Sequence, residues 1–169
     1  MPSAETLIAE LHALGLHFVV ETTPAPPKKR LSPVELLAGL AGQEDARLRL
    51  ALIAVFLYRP GLAEALPDAL AQLDPAGQTT LKLFYTAAVY LQHIHAPHLQ
   101  VFVPIQQPLP DFFAQELGIS SKGDPQERLR RLSRRHRDLT GLAANWFGTY
   151  QHAATRVITR LEKEASWAV

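Results

Sequence analysis

The chain contains no cysteine, which excludes disulfides, thiolate zinc sites and a cysteine nucleophile. It has no long hydrophobic run either. The longest, Leu50 to Tyr58, spans nine residues, less than half of the ~20 that a bilayer-spanning helix needs. Met1 to Thr6 offers no basic stretch leading into an apolar core, so no secretory signal is read there. Phosphate-loop, dinucleotide-binding, serine-hydrolase and zincin motifs are all missing. Charge of neither sign is in excess, with 17 Lys+Arg against 16 Asp+Glu. These absences predict a cytoplasmic protein without a membrane segment and give no ground for a cofactor.

What is present is enough for one globular domain: 169 residues, of which 47% are apolar and 20% charged. The apolar spacing predicts an all-α bundle of seven or eight helices without internal repeats. Residues 3–14 carry Leu7, Ile8, Leu11 and Leu14 at helical spacing and end at Gly15. Residues 16–21 are β-branched and aromatic enough for a short strand or an extended arm. A stiff Pro- and Lys-rich linker over 22–31 follows, able to hold residues 1–21 away from the body. The helical domain proper is read over 32–169.

That domain opens on its best local signal, with Ser32 as N-cap, Pro33 at the first helical position and Glu35 closing a capping box. Residues 44–58 form a helix apolar all round in its second half, hence the centre of the core. A fourth helix over 62–73 is kinked or split at Pro67. A fifth is capped by Thr79 or Thr80 and carries Leu81, Phe84, Tyr85, Ala88 and Leu91 as its core stripe. The four prolines of 96–110 predict an extended loop, followed by a short helix over 110–117. Asp124-Pro125 starts a helix to about Leu139, Thr140-Gly141 breaks it, and the last helix runs from Leu142 to about Ala165.

The balanced total conceals a dipole. Residues 1–121 hold 7 basic and 11 acidic side chains, while residues 122–169 hold 10 basic and 5 acidic. Seven of the cations lie between Lys122 and Arg137. Arg128, Arg131 and Arg135 share one helical face and Arg130, Arg134 and Arg137 another, on either side of a narrow seam of Leu129, Leu132 and Leu139. Closely spaced guanidinium groups repel one another, so they favour an RNA backbone or an acidic protein surface. A second polar line, Asn145, Thr149, His152, Arg156 and Thr159, runs along the last helix with no carboxylate in it. It suits directional contacts to the same kind of partner. His93, His95 and His98 do not form a metal site on this reading. On a helix His93 and His95 point ~200° apart, and Pro97 interrupts the turn that would return His98.

Three stretches, Leu48 to Pro60, Leu83 to Gln92 and Asn145 to Ala154, resemble a group of small bacterial helical proteins encoded beside nucleotidyltransferases. These in turn resemble the HEPN and minimal-nucleotidyltransferase toxin–antitoxin modules. The resemblance implies a two-component or defence-type system in which this chain binds a nucleotidyltransferase-like neighbour, RNA, or a second copy of itself. Arg131 followed by His136 resembles the R-x4-6-H element of HEPN ribonucleases. That likeness implies a metal-independent RNase in which Arg131 stabilises charge on phosphorus and His136 moves protons. Leu7 to Val20 resembles the opening of a nucleotidyltransferase, but the glycine pair and spaced aspartates do not follow, so the chain is not read as that enzyme. Two non-catalytic expectations stand beside the nuclease: a partner protein using residues 122–160, and a scaffold in a ribonucleoprotein.

Overall fold

Local start and stop signals fix most of the helices. In the computed structural model, which describes residues 1–16, 25–102 and 107–168, nine α-helices and one 3-10 segment occur and no strand does, among the described residues. The chain is all-α. The strand or arm expected over 16–21 falls largely outside the described residues.

Helix α1 (Ala4–Ala13) is capped by the Ser3 hydroxyl, and Gly15 at φ 93° turns the chain out of it. Helix α2 (Pro33–Ala41) carries the full capping box between Ser32 and Glu35. Helix α3 (Ala46–Tyr58) follows an Asp45 cap. The next stretch divides as Pro67 demands, into a 3-10 segment Pro60–Ala65 and α4 (Leu66–Ala71). Helix α5 (Pro75–Ile94) starts four residues earlier than Thr79, because the Asp74 carboxylate accepts from the Gly77 N–H and Pro75 occupies the first turn. Residues 96–102, expected as loop, form α6 (Ala96–Phe102); Pro97 lies in its first turn, where a missing N–H costs nothing. Helix α7 is reduced to Ala114–Leu117, α8 spans Pro125–Thr140, and α9 spans Trp146–Trp167.

The core forms around α3 and α5. Seven consecutive residues of α3, Ala51 to Leu57, are buried, and the Phe56 and Tyr85 rings meet edge to face at 4.9 Å. The polar groups of α5 then fasten the segment after α6. Buried Gln92 donates to the Gln107 carbonyl at 2.8 Å and accepts from the Leu109 N–H at 2.7 Å, while the Tyr85 hydroxyl donates to the Pro110 carbonyl at 2.6 Å. On the remaining flanks, α8 lies against α5 and α9 against α3.

Helix α1 is seated on this body rather than held away from it. Leu7, Leu11 and Leu16 are buried. Glu10, also buried, receives the Arg30 guanidinium in a fork at 3.0–3.1 Å and the Leu31 N–H at 3.2 Å. The cation ending the Pro-rich stretch thus ties α1 to the start of α2.

Candidate interaction site

Helix α8 carries most of the basic residues, and its two arginine faces have different roles. Arg128 donates to Asp111 at 2.7 Å and to the Ser120 carbonyl at 3.1 Å, and its guanidinium lies 4.5 Å from the centre of the Tyr90 ring. Arg131 donates to the Lys122 carbonyl at 2.9 Å and pairs with Glu127 at 3.5 Å. Arg135 donates to the Leu117 carbonyl at 2.9 Å, one of the carbonyls left open at the end of α7. This face is therefore occupied in holding residues 117–122 against the bundle.

The opposite face is turned outward. Arg130 is exposed and lies over the Phe147 ring at 4.2 Å. Arg134 and Arg137 are exposed, and neither side chain has a hydrogen bond or ion pair among the described residues.

The seam between these faces corrects the sequence reading in one place. It consists of Leu129, Leu132 and His136, whereas Leu139 is 41% exposed. His136 is 3% exposed. Its ring stacks on Trp146 at 3.6 Å and 9°, meets Phe84 edge-on at 5.2 Å, and hydrogen-bonds the Tyr150 hydroxyl. Burial, and secondarily the Arg49 charge, pushes the His136 pKa down to about 4. Burial pushes the Tyr150 hydroxyl up. The structure does not bring Arg131 and His136 together: the arginine reaches to the Lys122 carbonyl, while the imidazole faces the aromatic core. His136 also borders a cleft of about 600 Å³ with Arg49, Thr80, Thr140 and Trp146 in its wall.

The polar line on α9 divides in the same way. Asn145 caps the helix by accepting from the Gly148 N–H at 3.0 Å, and Thr149 donates to the Asn145 carbonyl at 2.9 Å. Both are engaged by their own backbone. His152 and Arg156 instead border a small pocket of about 70 Å³ between α3 and α9, opposite Arg47. The pocket is otherwise aliphatic, walled by Leu50, Ala51, Ala54 and Ala153. Sequence reasoning missed Arg47. The available signal was its placement at i with Leu50, Ala51 and Ala54 at i+3, i+4 and i+7, a cation at the head of an apolar helical line.

No protein-family model, curated protein or solved structure matches the chain.

The chemistry of the surface therefore stands on its own geometry. Among the described residues no group of three or more His, Cys, Asp or Glu side chains is placed to hold a metal ion. His98 faces Glu162 at 3.7 Å, and His95 has its pKa lowered by burial and then by His98. No single helix among the described residues is long and apolar enough to cross a membrane. What the arrangement offers is a set of outward cations on α8, together with a cation-rimmed aliphatic pocket where α9 meets α3.

Proposed function

We propose that this chain is a non-catalytic helical partner in a two-component, toxin–antitoxin or defence-type module. Its basic C-terminal helices hold an acidic surface of a nucleotidyltransferase-like protein. The observation that carries the reading is the division of labour on α8. Arg128, Arg131 and Arg135 are satisfied within the fold, while Arg134 and Arg137 project with no partner among the described residues. Unpaired like charges on a folded surface are relieved by an external anion.

Three features favour protein over RNA as that anion. Arg130 lies over one face of the Phe147 ring and so competes with a base for stacking there. Asn145 and Thr149 are held by their own helix. The pocket beside His152 is aliphatic. The nuclease reading gains no support from the site, since a buried imidazole hydrogen-bonded to Tyr150 is not placed to exchange protons with an RNA strand.

The test is co-purification with the product of the neighbouring gene, comparing the native chain with Arg134→Glu/Arg137→Glu. The expected outcome is a complex that weakens by at least ~10-fold on reversal of the two charges. Absence of a complex, or one indifferent to both substitutions, overturns the reading. So does tight binding of a uridine oligomer that the same substitutions abolish.

A further inference from the structure

The outward arginines of α8 supply charge but no shape, and the pocket between α3 and α9 supplies both. We infer that this pocket is the anchor point of the partner: it takes one branched aliphatic side chain from an acidic segment, whose flanking carboxylates are received by Arg47 and His152. The inference rests on the reading of the basic helices as a protein-binding face and names the place and the chemistry of the contact.

The geometry carries it in three steps. First, the floor is built for an apolar group. Ala51 and Ala54 of α3 and Ala153 of α9 are small where the helices meet, and Leu50 forms a wall. The space of about 70 Å³ compares with the ~10–15 Å³ that one water needs, so it accommodates a side chain of leucine or valine size. Second, the rim is cationic from both helices, and no acidic residue lines the pocket. Among the described residues Arg47 pairs with Asp45, two positions earlier, and its side chain is 77% exposed. An exposed pair of this kind is worth little and exchanges readily for an incoming carboxylate. Third, the polar surface continues. A groove bordered by Thr155, Arg156, Thr159, Arg160 and Lys163 extends from His152 along α9; within it Arg160 is paired with Glu164 at 3.1 Å, and Lys163 stands at its far end. From His152 to Lys163 the helix rises ~16 Å at 1.5 Å per residue, the length of about five extended residues. An aliphatic anchor with a short acidic flank matches this surface. A nucleic acid fits it less well, because the aliphatic floor of Leu50, Ala51, Ala54 and Ala153 offers a base neither a hydrogen bond nor a stacking face.

The experiment uses the full chain and a synthetic five-residue peptide with one leucine between two pairs of carboxylate residues. Three comparison probes accompany it: the same peptide with alanine for leucine, a lysine version, and a uridine pentamer. Binding is read from NMR shifts. The acidic leucine peptide is expected to move the methyl signals of Ala51, Ala54 and Ala153, and its alanine counterpart to bind ~10-fold more weakly, the difference in apolar area buried. Arg47→Glu/His152→Glu, at two exposed positions, is expected to abolish the shifts, while Arg134→Glu/Arg137→Glu leaves them within ~2-fold. Equal binding of the leucine and alanine peptides overturns the proposal. So do shifts confined to α8, or a stronger response to the uridine pentamer. With the neighbouring protein as ligand the two readings separate. A complex that forms but ignores Arg47→Glu/His152→Glu removes the anchor and leaves the partner, whereas no complex at all removes the partner.

Discussion

Enclosed by Phe84, Trp146 and Tyr150, the His136 imidazole is held neutral, and this gives the fold a pH dependence of its own. In the unfolded chain a histidine takes up its proton near pH 6.5, but in the folded protein His136 does so only near pH 4. Between those values the unfolded state binds the extra proton, so stability is full above pH 6.5 and falls as pH drops toward 4. The gap between those two values corresponds to about 3 kcal/mol. Urea unfolding at pH 7 and at pH 5 is expected to show part of this loss, and His136→Gln to reduce the slope in that window, leaving the part that the half-buried His95 contributes. The carboxylates of Glu35 and Asp45, whose pKa values lie below their usual range, act only at lower pH. An equal slope in the substituted protein removes His136 as the cause. The burial of this histidine was legible, since Leu129, Leu132 and His136 stand at i, i+3 and i+7. Its chemical type drew it toward a catalytic reading, and only the positions of Trp146 and Tyr150, contributed by another helix, show that it is core.

Helix α8 illustrates how a repeated residue acquires different roles by period alone. Arg128, Arg131 and Arg135 follow the spacing that faces residues 117–122, and Arg130, Arg134 and Arg137 the spacing that faces outward. An alanine scan is expected to alternate accordingly. Arg128→Ala removes an ion pair to Asp111, a carbonyl contact and the Tyr90 face, a loss of about 1–3 kcal/mol, and Arg135→Ala uncovers the Leu117 carbonyl. Arg134→Ala and Arg137→Ala are expected to stay within about 0.5 kcal/mol in thermal unfolding. A uniform response across the helix contradicts the assignment. Grouping the arginines into two faces needed only the sequence; which face the loop would occupy depended on where the chain returns after α7. The same limit applies to the ends of other elements. Asp124-Pro125 starts a helix, and so does Asp74-Pro75, although after a broken helical stretch the latter reads as a terminator. Helix α9 begins at Trp146, not Leu142, because Asn145 provides the cap and Gly141, at φ 70°, reverses the chain before it.

At the scale of the whole molecule the division of charge after Ser121 survives folding, but its effective strength is lower than its count. Part of the basic excess is neutralised internally, by Asp111, by Glu127 and by the carbonyls of residues 117–122. The field presented to a partner comes from Arg130, Arg134 and Arg137 on α8 and from the cations flanking the α3–α9 pocket. Charges of this kind act at a distance of about one Debye length, ~10 Å at 0.1 M salt, so they govern encounter more than residence. The association rate with the partner is therefore expected to fall several-fold between about 0.05 and 0.5 M salt, with the dissociation rate changing much less. Arg134→Glu/Arg137→Glu is expected to flatten that salt dependence. Arg47→Glu/His152→Glu, at the anchor, is expected chiefly to raise the dissociation rate, because loss of the enclosed contact shortens residence. Stopped-flow mixing across the salt series separates the two effects. An association rate indifferent to salt removes the outward cations from the encounter and overturns this reading.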